Sequence, residues 1–285
     1  MRRFHSDEAG VYEGDLVNSF RHGKGALTWP NGDTYKGDFQ MGMRTGYGES
    51  IGKHGNTVYW GEFRNSERNG SGVENRQRNS STYRYEGDWK DDTFHGIGHF
   101  KNSWSQYVGE FCNGYKEGFG FMLHRSGETY EGEWIYGKYS GWGKYIYVDE
   151  STYEGKWENG LKHGVGIMTS SDYQYDGHWH DGKRHGEGIH RNMWTGETRL
   201  GLWNDDTFIK WTELTSIFGT TSSYTHGLRP DYFDCKREKM PMIEKLKELS
   251  EYQASFRWRH RQSSTSDISS APFKVKKSMH ELKLI

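Results

Sequence analysis

The fold is decided by a stretch that reads Tyr130-Glu131-Gly132-Glu133-Trp134-Ile135-Tyr136-Gly137-Lys138-Tyr139-Ser140-Gly141-Trp142-Gly143. Because successive side chains of a strand point to opposite faces, Tyr130, Gly132 and Trp134 share one face and the two glutamates the other. Ile135-Tyr136-Gly137-Lys138 has a glycine suited to a tight turn, and a second strand is expected around 141–145. The stretch predicts a β-hairpin with rings on one face and charges on the other.

The same pattern recurs along most of the chain. Tyr-x-Gly occurs eight times, 22 to 26 residues apart, at Tyr12, Tyr35, Tyr59, Tyr85, Tyr107, Tyr130, Tyr153 and Tyr175. Eleven residues after each of these motif tyrosines a Gly-x-Gly begins, with its glycines at Gly23 and Gly25, Gly46 and Gly48, Gly70 and Gly72, Gly96 and Gly98, Gly118 and Gly120, Gly141 and Gly143, Gly164 and Gly166, and Gly186 and Gly188. A fixed period of this length is typical of stacked repeats, and we predict that these glycines are structural.

The composition agrees with such an architecture. Hydrophobic residues make up only 32% of the 285 residues, but aromatic residues reach 16% and glycines number 38. A ring that lies over bare glycine backbone can replace an aliphatic core, because each ring buries about 150–250 Å². One hairpin alone is marginal, so stability must come from stacking on neighbours. The predicted fold class is mostly β: an elongated, single-layer antiparallel ribbon of stacked β-hairpins, followed by a C-terminal amphipathic α-helix.

A second aromatic residue follows most motif tyrosines by four positions. Together these residues form an aromatic row that holds the repeats together, or part of the row stays exposed and binds a helix or an extended peptide. Both interpretations can hold at different repeats. The predicted stacking and partner-binding face comprises Tyr85, Trp89, Tyr107, Phe111, Tyr130, Trp134, Tyr153, Trp157, Tyr175 and Trp179.

These motifs carry a family resemblance. Tyr-Glu-Gly-(Glu/Asp/Lys)-Trp followed by His-Gly-x-Gly resembles the MORN repeat, best at 130–143, 153–166, 85–98 and 12–25. The resemblance covers residues 10–203, as eight repeats and a degenerate ninth at Arg199-Leu200-Gly201-Leu202-Trp203. The third copy is followed by a polar insertion, Glu74–Ser81.

The resemblance implies a function. Similar proteins made almost entirely of MORN repeats are axonemal and cytoskeletal scaffolds, so we expect a non-catalytic, protein-binding component of the ciliary or flagellar axoneme or a related cytoskeleton. MORN modules also occur in proteins for which lipid binding has been proposed, so the alternative is a peripheral membrane adaptor for anionic phospholipid. In that case Lys274-Val275-Lys276-Lys277 would contact the lipid, although three lysines are too few for stable anchoring.

The remaining segments differ in composition. We predict a lead-in at 1–9, a cap and linker at 204–235, an amphipathic helix at 236–261 and a disordered basic tail at 262–285. The helix docking face consists of Met242, Ile243, Leu246, Leu249 and Phe256. Residues 236–285 carry a net charge of +6 against −7 for the rest, so the tail either docks on the ribbon, in cis or in trans, or both regions are merely solvated. A homodimer through the helix or the ribbon, and phosphorylation of the serines at 263–270, are further open alternatives.

Catalytic and cofactor motifs do not stand out in the sequence. It has no P-loop, G-x-S-x-G, H-E-x-x-H or Rossmann fingerprint, so we expect no enzyme, no catalytic residue and no cofactor. The acidic repeat body argues against nucleic acid. Two cysteines, Cys112 and Cys235, and an N-terminus unlike a signal peptide favour a reducing, cytoplasmic location.

Histidines also recur. His22, His95, His163 and His185 each precede a Gly-x-Gly. Neighbouring repeats should lie about 9–10 Å apart, too far for two imidazoles to share a metal, so we expect a structural position with the ring hydrogen-bonded to backbone. His178 and His180 share a strand face but have no obvious third ligand, so we expect no metal site.

Overall fold

The computed structural model describes residues 3–7, 10–78 and 81–212. The chain divides into two units, residues 1–228 and 229–285, and all described residues belong to the first. The predicted helix at 236–261 and the tail at 262–285 lie outside the described residues. So does the predicted docking face, Met242, Ile243, Leu246, Leu249 and Phe256. The predicted boundaries of these segments stay predictions.

The described residues form one antiparallel sheet of nineteen strands. The strands are β1 Arg3–Asp7, β2 Gly10–Val17, β3 Phe20–Thr28, β4 Thr34–Gln40, β5 Met43–Ile51, β6 Thr57–Arg64, β7 Glu67–Arg78, β8 Ser81–Lys90, β9 Thr93–Asn102, β10 Ser105–Cys112, β11 Tyr115–His124, β12 Thr129–Ile135, β13 Lys138–Ile146, β14 Thr152–Glu158, β15 Leu161–Thr169, β16 Tyr173–His180, β17 Lys183–Asn192, β18 Thr198–Asn204 and β19 Thr207–Thr212. A 3₁₀ turn, Lys53–Gly55, is the only helical element in this part of the chain. The prediction of an all-β antiparallel sheet of hairpin repeats is confirmed.

Each strand pairs with the next one along the chain, from β1 with β2 to β18 with β19. The segments between the predicted hairpins are therefore paired as well, and the sheet is a continuous meander. One edge carries the tight turns that follow even-numbered strands, and we call it the turn edge. The other carries the connections that follow odd-numbered strands, the loop edge.

The turns of the turn edge have a conformation that fits a twisted hairpin. Tyr136 and Gly137, between β12 and β13, have φ angles of 48° and 77°. Positive φ at both central residues defines a type I′ turn, whose twist matches that of the flanking strands. Asparagine, aspartate and glycine tolerate this region, which explains why they fill most of these turns.

The two glycines of each Gly-x-Gly have different reasons to be glycine. The first, Gly141 in the sixth repeat, has φ 55° and lies where the β12–β13 register shifts at a bulge after Gly132. The second, Gly143, faces Gly132 across the strands, and the Tyr130 ring covers both. A Cβ added at Gly143 would lie 2.4 Å from Tyr130 Oη. The rings therefore lie over bare glycine backbone, as the sequence predicts.

The other predicted structural glycines divide in the same way. The first glycine of the pair has a φ between 56° and 67° at four further positions, Gly23, Gly96, Gly164 and Gly186. The second glycine lies under the ring of its own motif tyrosine, so that an added Cβ would come within 2.3 to 2.5 Å of a ring atom or the hydroxyl, at Gly25, Gly98, Gly166 and Gly188. Side chains are thus excluded by backbone conformation at the first position and by ring contact at the second.

Each motif tyrosine also closes the bulge beside it. The Tyr130 hydroxyl donates to the Glu133 carbonyl at 2.9 Å, three residues on. The same bond recurs at 2.8 to 3.1 Å in the other seven repeats. The phenol is thereby satisfied while its ring is buried.

Two irregular parts of the sequence fit into the same sheet. The polar insertion after the third copy lengthens one hairpin, in which pairing continues to Arg78 opposite Ser81. The degenerate ninth copy forms β18 and pairs with β19, and its Trp203 contacts the ring of Tyr175 at a centroid distance of 4.9 Å.

Candidate partner-binding face

The predicted aromatic face forms one continuous row along the sheet. Tyr130 contacts Trp134 of its own repeat at 5.3 Å and Trp157 of the next at 5.5 Å, both edge to face. Edge-to-face pairs of this kind contribute about 0.5–1.5 kcal/mol beyond the burial of their area. All ten predicted residues are brought together in this row, and their exposed fractions range from 0% to 7%. Their role in binding a partner stays a prediction, because side chains this deeply buried offer a partner little area.

The tryptophans of the row are tied to the preceding repeat by their indole nitrogens. Nε1 of Trp134 and of Trp157 donates at 3.2 Å to a carbonyl of the preceding repeat, from Gly120 and Gly143 respectively. Trp179 makes the same bond to Gly166 at 2.9 Å. In contrast, the buried Nε1 of Trp89 has no hydrogen-bond partner within the described ranges.

A row of side chains lies over these rings that the sequence analysis missed. It contains the residue nine positions after each motif tyrosine, and we call it the lid row: Arg21, Arg44, Arg68, Phe94, Lys116, Tyr139, Lys162 and Arg184. Each member contacts the ring of its own motif tyrosine, the cations at 5.3 to 5.8 Å and the two rings at a stacked 3.8 Å. Only the constant offset of nine residues from the motif tyrosine could have revealed this row in the sequence, because its residue types vary.

The lid row also joins each repeat to the next through the backbone. The backbone carbonyl of each lid residue accepts a hydrogen bond from a backbone N–H in the turn of the following repeat. The Lys116 carbonyl, for example, accepts the Gly137 N–H at 2.9 Å. All eight junctions have this bond, at 2.8 to 3.1 Å, from Gly42, Ser66, Asp92, Gly114, Gly137, Gly160, Gly182 and Asp206. Neighbouring repeats are therefore held in one constant geometry.

The charged lids differ in their partners. Arg68 lies 4.2 Å from the Trp89 ring, donates from Nε to Asp92 at 2.7 Å and from Nη1 to Glu74 at 3.0 Å. Glu74 is only 2% exposed, and Tyr83 also donates to it at 2.8 Å, so its burial is compensated. Lys116 has no carboxylate within ion-pair distance among the described residues, and burial lowers its pKa to about 8.

The recurrent histidines differ from the prediction. Nδ1 of His22, His95 and His163 is buried without a hydrogen-bond partner among the described residues, so the predicted bond from ring to backbone is absent at that atom. His163 Nδ1 lies 3.6 Å from Asp181 Oδ1 and His185 Nδ1 lies 3.3 Å from Asp205 Oδ1, so both rings face the carboxylate of the first turn residue of the following repeat. The ring therefore faces a carboxylate where that turn begins with aspartate.

Three histidines do meet near the turn edge. The His180 ring lies between those of His163 and His185, at centroid distances of 5.2 and 5.5 Å. Spacing alone missed this group because it compared His163 with His185 and ignored the strand between them. His178, its predicted neighbour, points instead to the Glu187 carbonyl at 3.1 Å. Across the described ranges no three histidine, cysteine or acidic residues are arranged to hold a metal ion.

The loop edge presents two tryptophans to solvent. Trp104 is 71% exposed and Trp194 is 80% exposed. Both follow an asparagine by two residues: Asn102 Oδ1 accepts the backbone N–H groups of Trp104 and Ser105 at 2.8 Å. Asn192 Oδ1 does the same for Trp194 and Thr195. The two loops share an Asx turn, so each indole is presented on a fixed backbone; the motif Asn-x-Trp-(Ser/Thr) was the missed signal.

Comparison with known proteins identifies the repeat. The MORN repeat family matches eight segments that together cover more than half of the chain: 12–34, 35–57, 59–76, 85–104, 107–129, 130–152, 153–174 and 175–191. The chain belongs to the MORN repeat family. MORN repeats are typically non-catalytic modules. Among the described residues there is no helix with the length and apolar character needed to cross a bilayer.

Curated relatives match part of the chain. Alsin from Rattus norvegicus is 30% identical over 122 residues, and alsin from Homo sapiens is 29% identical over 120 residues. Each match covers 39% of this chain and 7% of alsin. The chain therefore spans a small fraction of the length of these relatives, and the likeness concerns the MORN region.

Proposed function

We propose that this protein is a non-catalytic scaffold that holds protein partners at fixed spacing, in the axoneme of a cilium or flagellum or in a related cytoskeleton. The observation that carries the proposal is the constant junction, in which the same backbone bond and ring contacts recur between repeats. Two strands per repeat give a step of about 10 Å. A sheet with so regular a step suits the ordered placement of partners.

The exposed tryptophans of the loop edge are the proposed partner contacts. Tryptophan is enriched among the residues that dominate binding energy at interfaces, and a fixed backbone lowers the entropy lost on binding. Trp104 and Trp194 follow β9 and β17, so about eight strand spacings, or about 38 Å, separate them along the sheet. Two anchors on one edge fit one extended partner or two copies of a smaller one.

The second candidate is a peripheral membrane adaptor that binds anionic phospholipid. Two lid residues favour it, because Lys116 and Lys162 are partly buried cations with no carboxylate within ion-pair distance among the described residues. Each basic residue near an anionic surface contributes about 1 kcal/mol. The basic tail that we predict at 262–285 would add to this attraction. A homodimer remains a prediction that light scattering of the full chain over a range of concentrations tests.

Proximity labelling and co-purification from ciliated cells test the scaffold. We expect the wild type to recover axonemal or cytoskeletal proteins and the double variant Trp104→Ser/Trp194→Ser to lose most of them. Tyr136→Asn is the matched control, since Tyr136 is 74% exposed but lies on the turn edge. Diffuse localisation without such partners would contradict the proposal, and binding to anionic vesicles at physiological salt would favour the membrane adaptor instead.

A further inference from the structure

We propose that the cavity beside Arg44 binds a carboxylate side chain, Asp or Glu, of a protein partner. The proposal rests on the scaffold function above and names the chemistry by which one part of the sheet would recognise its partner. It follows from a comparison of Arg44, Arg68 and Arg184, three of the four arginines in the lid row; the fourth, Arg21, meets a glycine, Gly42, at the corresponding turn position.

Two of the three arginines show what this position binds. Arg68 donates from Nε to Asp92 Oδ1 at 2.7 Å and from Nη2 to the Asp92 carbonyl at 2.8 Å. Arg184 makes the same two bonds to Asp206, at 2.9 and 3.3 Å. In both, the aspartate belongs to the turn of the following repeat and also accepts the arginine's own backbone N–H.

Arg44 has the same setting without the carboxylate. Ser66 stands at the turn position of Asp92 and Asp206, with a similar φ of 71°. Its hydroxyl accepts the Arg44 backbone N–H at 3.1 Å, and its carbonyl accepts Arg44 Nη2. No described residue supplies a carboxylate within ion-pair distance of this guanidinium. The Nε donor that binds aspartate twice elsewhere in this chain is therefore left for an incoming group.

The guanidinium faces a cavity large enough to admit a side chain. The cavity has a volume of about 560 Å³, and its lining includes cations and carboxylates of the first four repeats. Its carboxylates are already engaged: Glu74 and Asp92 with Arg68, and Asp33 with the Lys53 backbone N–H at 2.6 Å. The ring of Phe63 lies 4.9 Å from the Arg44 guanidinium, which adds a cation–π contact. Burial lowers the pKa of Arg44 below its ordinary value, which is the sign of a cation whose hydration has been partly removed.

The charge pattern favours one carboxylate over a polyanion. Arg44, Lys53 and Arg76 line the cavity and have no ion pair with any described residue. With Arg68, the lining holds four cations and three carboxylates, a net charge of +1 that a single carboxylate neutralises, whereas a phosphoinositide headgroup or another densely charged anion would bring excess negative charge. A single planar carboxylate, delivered on a polypeptide side chain, reproduces the geometry that Asp92 and Asp206 already show.

Nuclear magnetic resonance of the full chain tests this inference through the arginine Nε–H signals. The probe is N-acetyl-glutamate N-methylamide, and its neutral match is N-acetyl-glutamine N-methylamide. We expect a saturable shift of the Arg44 signal with the glutamate probe, at least about tenfold weaker binding of the glutamine probe, and no shift for Arg68 and Arg184, whose Nε groups are already bonded. A silent Arg44 signal, or equal responses to both probes, would overturn the proposal.

The variant Ser66→Asp supplies the missing carboxylate from within the chain. It should abolish the response of Arg44 to the glutamate probe, while Asn159→Asp, which adds the same charge at the turn of the seventh repeat, should leave it unchanged. An unchanged response in Ser66→Asp would disprove the site. A stronger response to inorganic phosphate or to phosphatidylserine vesicles than to glutamate would assign the site to phosphate chemistry and overturn the carboxylate. The tryptophan variants of the loop edge should leave the Arg44 shift intact, so failure of the proposed function is distinguishable from failure of this site.

Discussion

The fifth and sixth repeats have the same backbone but different lids. In the fifth, the Lys116 ammonium lies 5.3 Å from the Tyr107 ring and 5.0 Å from the Trp134 ring. In the sixth, Tyr139 stacks on Tyr130 at 3.8 Å and contacts Trp157 at 5.3 Å. The slot above the motif tyrosine thus accepts a cation, which the negative ring face attracts, or a second ring, which gains dispersion contacts and apolar burial by stacking. The repeat motif fixes the framework, and the lid gives each junction its own surface chemistry.

Alkaline pH should disrupt the feature that all junctions share, the buried and un-ionised motif tyrosine. Burial raises the pKa above 10 for seven motif tyrosines: Tyr12, Tyr35, Tyr59, Tyr85, Tyr107, Tyr153 and Tyr175. Their contribution to stability is present below pH 10, the unfolded value. Above pH 10 it falls by about 1.4 kcal/mol per pH unit for each tyrosine until the folded pKa of that tyrosine is reached, and Tyr12, the least desolvated of the seven, contributes least. Because domains are stable by about 5–15 kcal/mol, we expect cooperative unfolding within one to two units above pH 10.

Tyrosinate absorbance and circular dichroism recorded together measure this transition. The part of the tyrosinate signal that comes from the buried motif tyrosines should appear at the pH at which the β signal is lost, because their ionisation requires the rings to leave the glycine patch. Complete ionisation of all tyrosines with the β signal retained would show that these rings are accessible in the folded sheet, contrary to their burial.

Gly143→Ala should break the sixth junction with the next largest effect. The added Cβ would meet Tyr130 Oη at 2.4 Å, so the ring that supports the lid must move. We expect a loss of about 3 kcal/mol in the free energy of unfolding, measured by urea denaturation. Gly137→Ala, where no atom lies within 4 Å of the new Cβ but φ is 77°, should cost only about 1 kcal/mol. Equal losses would show that backbone strain and not ring contact dominates.

Truncation of the two lids measures their difference directly. Tyr139→Ala removes a stacked ring and the contact of its hydroxyl with His124 Nε2 at 2.8 Å, so we expect a loss of about 3 kcal/mol. Lys116→Ala removes a cation whose burial lowers its pKa to about 8, so its attraction to the rings is largely offset and the loss should be about 1 kcal/mol. Thermal unfolding of both variants at pH 7 decides, and a larger loss for Lys116→Ala would reverse the ranking of lids.

The smallest effect concerns a single hydrogen bond. Trp134→Phe loses the bond from Nε1 to the Gly120 carbonyl, whereas Trp89→Phe removes a donor that has no partner among the described residues. Both variants lose the same volume and both keep a ring opposite a lid cation, Arg68 or Lys116, so their difference reflects mainly the bond and should be about 1 kcal/mol in favour of Trp89→Phe. The midpoints of denaturant unfolding of the two variants, compared at equal dependence of the free energy on denaturant, provide the measurement. Identical midpoints would mean that water accepts a hydrogen bond from both indole nitrogens.

The packing of the motif tyrosines on the paired glycines could be predicted from the sequence, because the same residue types recur in every repeat. The tyrosine and the two glycines recur at a constant offset, so their packing could be predicted before the strands were seen. The lid row could not be predicted because its positions hold arginine, lysine, phenylalanine or tyrosine. What these residues share is their place above the motif tyrosine, which only the structure shows. The grouping of His180 with His163 and His185 required the sheet order, since the middle member comes from the opposite strand of a hairpin. The Asx turns of Trp104 and Trp194 depend on side-chain bonds that no hydrophobic period records.

The sequential order of the strands also governs how the sheet can be made. Every ladder joins neighbours in the chain, so contacts are local and little loop entropy is lost when each hairpin closes. Folding can begin at any hairpin and extend in both directions, as in other quasi-one-dimensional arrays. A nascent chain could add hairpins to the growing edge as they leave the ribosome, without waiting for a distant segment. Gain or loss of a whole repeat would change the number of steps while leaving every remaining junction as it was.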